Sequence, residues 1–296
     1  MKYTNLNSDP FMRIRDITEN HHYPIWLLRF PRLIYIHYVA SRILFLRSRI
    51  CHRWIRKLII NSPKRQLRIL DAGCGEGQYL IPQARRWSDC TFTGIDQLKD
   101  HIAFLTKLVN KKRITNCHLE IIDIKAYLSG GPEVDLIYMI GVLQYLPRPE
   151  KVLNLMGQTQ SPGQQVLLYT PIRTKIHYKF YQWIRSKYGH YDDAQEQYNP
   201  IKEKDLYEWI ENARYRIAHK EYHYKRVGTL GHEIMQSLII LWTNWPMALK
   251  IIPALFFIIL MPIFVSLQVV DGWFPSRHPK RGNGLLLILE KQSIRG

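Results

Sequence analysis

The stretch that decides the fold covers residues 67–77 and reads LRILDAGCGEG. Its apolar first half is typical of a buried strand, and three glycines alternate with other residues soon after Asp71. Glycine permits a backbone with positive φ that lies against a ligand with no Cβ in between. Because helix-forming residues follow from Gln78, the stretch predicts a strand, a tight turn and a helix, which form half of a nucleotide-binding βαβ unit.

Two later apolar runs repeat the arrangement of a strand that ends in a carboxylate. Residues 91–95 are followed by Asp96, about twenty residues after the glycines, where such folds place an acidic residue against a ribose. Residues 118–122 are followed by Asp123. Ligands bind at the carboxyl ends of the strands in open α/β sheets, so these carboxylates are expected at one binding edge. A glycine turn alone would be compatible with a simple loop, and the two later carboxylates favour a binding site.

These pieces resemble the class I S-adenosylmethionine (SAM) dependent methyltransferases, most closely the branch that includes quinone-biosynthesis methyltransferases. The matching segments are residues 70–77, 94–96, 122–124 and 134–146. The resemblance implies that the glycine loop holds the methionine part of SAM, that Asp96 accepts the ribose hydroxyls, and that Asp123 faces the adenine amine. The cofactor-binding residues that it implies are Asp71, Gly73, Cys74, Gly75, Gly77, Asp96, Gln97, Asp123, Ile124 and Ile140.

The chain has 296 residues and a net charge of +18. Residues 1–66 contain thirteen Lys and Arg but three Asp and Glu, so more than half of the excess precedes the glycine loop. A basic arm of this kind favours nucleic acid or an anionic membrane surface. The four cysteines show no paired spacing and no secretory signal precedes them, which predicts a reducing, cytosolic setting. No metal is expected, because His219 and His223 lie about 13 Å apart on a predicted strand.

The alternation of strand and helix patterns predicts an α/β, Rossmann-like doubly wound sheet that is mostly parallel, with an antiparallel last strand. An N-terminal amphipathic helix and an apolar helical insertion are added to this core. The domains expected are a basic arm with the amphipathic helix at 1–66, a SAM-binding core at 67–227, a membrane-associating insertion at 228–283, and the last core strand with a tail at 284–296. Strands are predicted at 68–70, 91–95, 118–122, 134–140, 165–169, 215–225 and 284–290, and core helices at 76–87, 98–110, 150–159 and 201–213.

One long helix is predicted over residues 32–60. An ordinary core-packed helix with a solvated basic face and an interfacial helix with arginines at headgroup depth both fit its pattern. By the resemblance, an N-terminal helix of this kind lids the SAM pocket. The apolar stripe comprises Ile36, Val39, Ile43, Leu46, Ile50, Trp54 and Leu58, and the basic face comprises Arg42, Arg49, Arg53 and Arg56.

Residues 251–270 carry no charge over twenty positions, about the length that spans a bilayer core. A buried helix of a soluble protein is the alternative. Because the last strand is expected antiparallel beside the sixth, the chain must enter and leave the insertion on one side of the membrane, which a single crossing cannot do. The sequence therefore predicts a shallow monotopic hairpin with a short first arm at 234–242, a turn at 244–246, and a second arm made irregular by Pro253 and Pro262.

Side chains suited to a membrane interface flank this hairpin. The predicted location is therefore the cytoplasmic side of a membrane, in a monotopic or peripheral form. Trp242, Trp245 and Trp273 are expected near the interface, and a basic cluster suited to headgroups comprises Arg277, His278, Lys280 and Arg281.

The sequence thus predicts a SAM-dependent methyltransferase that acts on a lipid or other hydrophobic small molecule at an anionic membrane surface. Nucleic acid is disfavoured as a partner, because a nucleic-acid enzyme has no evident use for the insertion. Two alternatives stay open, an RNA methyltransferase that uses the basic arm and a non-catalytic, membrane-bound SAM-fold protein. A hydroxyl or acidic carbon acceptor needs a base near the methyl group. The candidate catalytic residues are Tyr145, where related enzymes commonly carry a histidine, His177 and His190.

Overall fold

Seven strands form one sheet in the order β3-β2-β1-β4-β5-β7-β6. The structure is a computed structural model, and it describes residues 29–130, 133–172, 178–188, 201–274 and 282–293. The strands are β1 (Arg68–Ala72), β2 (Thr91–Asp96), β3 (Cys117–Ile121), β4 (Leu136–Ile140), β5 (Gln165–Pro171), β6 (Tyr215–His223) and β7 (Gly284–Lys291).

The pairing of these strands confirms the predicted topology. Strands β1 to β5 pair in parallel with one another, whereas β7 lies between β5 and β6 and is antiparallel to both. The glycine-rich turn leaves β1 at the centre of this order. The carboxyl ends of β1, β2 and β4 therefore meet at one edge of the sheet, where the site is built.

Helices cover both faces of the sheet and bury two apolar clusters against it. The helix after the glycine turn begins at Leu80, later than the predicted residue 76, because the turn itself takes the preceding residues. One face carries α1 (Pro31–Leu44), α2 (Leu46–Asn61), α3 (Leu80–Arg86) and α4 (Lys99–Lys112), and the other carries α5 (Ile124–Gly130), α6 (Pro149–Thr159) and α8 (Glu203–Asn212).

The prediction of a single N-terminal helix is wrong, because the helix is interrupted at Phe45. That residue takes an extended conformation, with φ −109° and ψ 121°, and separates α1 from α2. The break is fixed from outside, since the backbone N–H of Leu46 donates to the side chain of Gln268 at 2.8 Å. It also divides the predicted stripe: Ile36, Val39 and Ile43 are exposed, whereas Leu46, Ile50, Trp54 and Leu58 are buried.

The insertion between β6 and β7 is a helical hairpin, as predicted, but both of its arms differ from the prediction. The first arm, α9 (Arg226–Asn244), is nineteen residues long rather than short, because it continues the chain almost directly from β6. The second arm, α10 (Ile251–Trp273), is one continuous helix. Pro253 lies in its first turn, where no backbone donor is needed, and Pro262 removes one internal hydrogen bond without ending the helix.

Small residues bring the two arms of the hairpin together. A Cβ on Gly231 would lie 2.6 Å from the carbonyl oxygen of Phe264, and one on Gly228 would lie 2.5 Å from Asp271 Cγ. The carboxylate of Asp271 in turn accepts hydrogen bonds from the backbone N–H groups of Tyr224 and Lys225. The hairpin is therefore joined firmly to the end of β6.

The hairpin also packs against its neighbours on the inner side. Helix α9 contacts α7 (Lys179–Lys187), and α10 contacts α1 and α2. By length and composition, one helix in the described part of the chain, Met247–Trp273, could cross a membrane. Its large side chains are mostly exposed, so it does not resemble the core helix of a soluble protein.

Candidate active site

The glycine turn folds because each of its glycines takes a positive φ. The N–H groups of Gly73 and Cys74 both donate to the carbonyl oxygen of Ile95, at 2.9 Å, which ties the turn to β2. A Cβ on Gly73 would lie 2.5 Å from Val142 Cγ2, and one on Gly77 would lie 2.5 Å from Leu105 Cδ2. These two glycines are therefore required by packing.

Gly75 differs from its neighbours, because a Cβ there would meet no atom within 4 Å. Its φ of +51° still favours glycine, but the space over it is open. An open cradle over a glycine turn at the end of β1 is the geometry in which a backbone approaches a bound ligand. The turn therefore fits the cofactor that the sequence predicts.

Two predicted residues in the turn are buried. Asp71 is 2% exposed, and burial raises the pKa of its carboxyl well above the usual value. Burial likewise raises the pKa of the Cys74 thiol, which makes a reactive thiolate unfavourable. Both side chains thus contribute to the packing of the turn rather than presenting an accessible charge.

Asp96 closes the turn from the end of β2. Its carboxylate accepts hydrogen bonds from the N–H of Gly75 at 2.8 Å and from the N–H of Leu98 at 2.9 Å. Burial alone would raise the pKa of Asp96, but the nearby His101 and these two donors outweigh it, so the pKa lies below its usual value. The ionised carboxylate is held beside the open side of the turn, as a ribose-binding residue requires.

The third predicted carboxylate lies next along the same edge. Asp123 Oδ1 accepts from the backbone N–H of Lys125 at 2.8 Å, which caps α5, and Oδ2 accepts from the Gln97 amide at 2.5 Å. Ile124 is buried as the first residue of α5, and Ile140 is half-buried at the end of β4. The structure thus brings the predicted cofactor residues to the ends of β1, β2, β3 and β4.

The N-terminal helices reach the glycine turn directly. The hydroxyl of Tyr38 on α1 donates to the carbonyl oxygen of Glu76 at 2.7 Å. The amide of Gln78 donates to Ser48 Oγ on α2 at 2.8 Å. These contacts close the turn from one side, in agreement with the lid that the resemblance implies.

A group of side chains that the sequence did not reveal, here called the Arg47 cluster, lies beside the end of β4. Arg47 is an exposed residue, and Tyr79, Tyr169 and Tyr224 lie near its charged group. A Cβ on Gly141 would lie 3.1 Å from Arg47 Nη1, which places the charge next to the residue that follows β4. No carboxylate in the described residues forms an ion pair with Arg47.

The hairpin contributes one residue to the Arg47 cluster. The imidazole of His232 on α9 lies against the Tyr224 ring, with the ring centres 5.2 Å apart. Burial, and then the charge of Arg47, lower the pKa of His232 to about 4. Arg47 follows the break at Phe45 and His232 lies in the first half of α9, and the sequence predicted neither the break nor the length of α9.

The predicted catalytic residues are only partly located. Tyr145 ends the 3-10 turn Leu143–Tyr145 and is 38% exposed. His177 and His190 lie outside the described residues. The histidines at 219 and 223 both hydrogen-bond to Glu221, so they belong to a side-chain network rather than to the site. Across the described residues, no group of three His, Cys, Asp or Glu could hold a metal ion.

Comparison with known proteins identifies the class of protein to which this site belongs. A family described as a methyltransferase domain matches residues 63–214, which is about half of the chain. The site and the match define a SAM-dependent methyltransferase domain, and SAM is the cofactor of this domain. The chain belongs to this methyltransferase domain family.

Individual relatives are distant. A stretch of 119 residues is 30% identical to a trans-aconitate 2-methyltransferase of Deinococcus radiodurans, and covers 40% of this chain and 43% of that enzyme. A stretch of 78 residues is 28% identical to a probable (S)-tetrahydroprotoberberine N-methyltransferase 2 of Papaver bracteatum, over 26% of this chain and 22% of that protein. The chain therefore matches less than half the length of either relative.

The fold is similar to that of solved methyltransferases. One is an O-methyltransferase from a trans-AT polyketide synthase multienzyme of Brevibacillus brevis, in complex with S-adenosyl-L-homocysteine. The TM-score is 0.53 at 14% sequence identity, and the match covers 89% of this chain and 80% of that one. At this identity, the likeness supports the fold.

Proposed function

We propose that this methyltransferase acts on a lipid or other hydrophobic small molecule, such as a quinone precursor, at the cytoplasmic surface of a membrane. The observation that carries the proposal is the outer face of α10. Soluble proteins rarely expose large contiguous apolar patches, and those that do use them for partners or membranes. The exposed side chains of this face are Ile251, Ile252, Leu255, Phe256, Ile258, Ile259, Met261, Ile263, Val270 and Trp273.

The path of the chain favours a monotopic arrangement over a crossing. The last residue of β6, His223, pairs with the first residue of β7, Gly284, so the hairpin starts and ends at one place. Its inner arm, α9, carries buried Glu233, which accepts from the backbone N–H of Tyr178 at 3.1 Å. With α9 held by the protein, α10 would lie in the plane of the interface with its outer face in lipid.

The residues at the edge of the sheet would hold SAM. SAM supplies a methyl group that its sulfonium sulfur already activates. The glycine turn would take the methionine part, Asp96 the ribose hydroxyls, and Asp123 with Gln97 the adenine side. Arg47 would pair with the carboxylate, which is the anionic group of SAM. We expect Arg47→Gln to weaken binding of S-adenosylhomocysteine in calorimetry, whereas Arg47→Lys should restore part of it.

His232 is our candidate for the base. Because burial lowers its pKa to about 4, the imidazole is neutral at neutral pH and able to accept a proton from a hydroxyl or acidic carbon. It belongs to the hairpin yet lies beside Arg47, so an acceptor entering from the membrane would meet it. Tyr145, His177 and His190 stay predictions for the same role.

The pH dependence of kcat tests whether His232 or a histidine with an ordinary pKa is the base. With His232 as the base, activity should fall only as the pH approaches 4, and His232→Asn should remove most of it. A base with an ordinary imidazole pKa would lose activity below about pH 6.5. If kcat falls below about pH 6.5 and does so equally in His232→Asn, His232 is excluded as the base and another group has that role.

Methyl-labelled SAM tests the proposed acceptor class. The protein is incubated with a total cell extract, the products are partitioned, and the label is followed. Label in the organic phase would support a lipid acceptor and provide a fraction for mass spectrometry. Label in RNA would contradict the proposal and favour an RNA methyltransferase, whereas intact SAM binding with no label in any fraction of several extracts would favour a non-catalytic role.

A further inference from the structure

A basic cleft of about 910 Å³ opens between α1, α2 and α3, apart from the glycine turn. Cations from all three helices converge on it, although the sequence suggested only an arginine face on one helix. Among the described residues that line it, none is Asp or Glu. The cations are Arg42 from α1, Arg49, Arg53, Arg56 and Lys57 from α2, and Arg85 and Arg86 from α3.

The charge of this cleft is largely uncompensated. Across the described chain, the ion pairs of these seven cations amount to one, between Arg53 and Glu221 at 3.3 Å. Arg49 Nη2 and His52 Nε2, both in cleft-lining residues, are buried without a hydrogen-bond partner in the same part of the chain. A concave surface concentrates the field of like charges and raises the local concentration of anions. Such a cleft is suited to a ligand with several negative charges.

The position of the cleft indicates which anion this is. Val39 lines the cleft and also belongs to the exposed apolar row of α1, which comprises Leu33, Ile36, Val39 and Ile43. Ile60 contributes a second exposed apolar side chain to the rim. Phosphates of a bilayer lie directly beside its apolar layer, so a basic cleft bordered by an apolar row matches a phospholipid in both chemistry and order.

We infer that this cleft binds the headgroup of a phospholipid that carries two or more negative charges. Each further negative charge on the headgroup would compensate another of the seven cations that line the cleft. The inference rests on the proposed membrane location, and it adds a discrete lipid site that would fix how the catalytic domain is oriented on the surface.

Vesicle binding tests this site without any methyl transfer. The chain of 296 residues is titrated with phosphatidylcholine vesicles that contain either cardiolipin, with two phosphates, or phosphatidylglycerol, with one, at equal total charge. We expect tighter binding to the cardiolipin vesicles. Equal affinity for the two vesicles would overturn the site, because a diffuse electrostatic attraction responds only to charge density.

Arg42→Gln with Arg56→Gln is the decisive variant, because the described structure shows neither side chain in an ion pair. We expect about a thirtyfold loss of cardiolipin binding, since each basic residue at an anionic membrane contributes roughly a factor of five. The matched control, Lys107→Gln with Lys151→Gln, removes the same charge from exposed positions outside the cleft and should stay close to wild type.

Other outcomes contradict the inference in distinct ways. Equal losses in the two double variants would show that net charge alone drives binding. Displacement of the protein from vesicles by RNA, with an RNA affinity that Arg42→Gln and Arg56→Gln abolish, would assign the cleft to nucleic acid. Binding of S-adenosylhomocysteine serves as the folding control, and failure of the acceptor proposal would leave these binding results unchanged.

Discussion

The carboxyl edge of the sheet and the outer face of α10 differ in how many of their side chains find partners within the protein. At the sheet edge, Asp96 and Asp123 receive backbone and side-chain donors, and the turn is ordered by its own hydrogen bonds. On α10, large apolar side chains meet solvent although the helix is firmly packed on its inner side. The polar groups of the first surface therefore find partners within the protein, whereas the apolar side chains of the second remain exposed.

The largest expected effect concerns the sheet edge. Asp96→Ala removes the acceptor of the Gly75 and Leu98 donors together with the proposed ribose contact. We expect affinity for S-adenosylhomocysteine to fall about a hundredfold or more in calorimetry, since hydrogen bonds to charged groups contribute about 1.5–3 kcal/mol each. Asp89→Ala, at an exposed aspartate, is the control, and unchanged affinity in Asp96→Ala would refute the ribose assignment.

A comparable effect is expected on the other surface. Ile258→Gln with Ile259→Gln should weaken binding to vesicles about a hundredfold, because each buried apolar side chain of this size contributes about 1.5–3 kcal/mol. Ile217→Gln, on β6, changes an exposed isoleucine outside the hairpin and should leave vesicle binding intact. If the hairpin variant floats with vesicles as wild type does, α10 does not enter lipid.

Substitutions at two glycines of the turn should affect stability and cofactor binding differently. Gly77→Ala should lower the free energy of unfolding by about 2–3 kcal/mol, because the new Cβ would clash with Leu105 as well as adopt an unfavourable φ. Gly75→Ala has open space and should cost only about 1 kcal/mol of strain, while weakening cofactor binding. Chemical denaturation and calorimetry on both variants measure the two effects. Equal losses of stability would show that the open side of the turn has been misassigned.

A smaller effect distinguishes buried histidines from surface ones. Burial lowers the pKa of His52 and of His232 to about 4, so in this pH range the unfolded chain binds more protons than the folded protein. Stability should therefore fall as the pH drops from about 6.5 to 4, by about 2 kcal/mol for each histidine. His52→Gln should flatten part of this slope in urea titrations at several pH values. An unchanged slope would contradict the burial of that side chain.

The sheet could be predicted almost completely from sequence, whereas the helices around it could not. Glycines and carboxylates at strand ends are local signals, so the strands and the positions of Asp96 and Asp123 follow from a few residues each. The break at Phe45 depends on Gln268, more than two hundred residues later, and no local pattern contains it. The Arg47 cluster was missed for the same reason, because Arg47 on α2 and His232 on α9 are far apart in the sequence and meet only in the folded protein. Pro262 misled the prediction for α10, since a long helix tolerates one missing hydrogen bond.

The place of β7 between β5 and β6 also determines when the sheet can be completed during synthesis of the chain. Gly284 and the residues after it are synthesised after the hairpin, yet they bridge the two strands on either side. While β7 is still being added, the sheet is open along this line, although the whole hairpin has already been synthesised. Since domains fold as their last long-range pairings form, the apolar hairpin precedes the finished catalytic core. The exposed apolar side chains of α10 are therefore present in the chain before the sheet that supports the hairpin is complete.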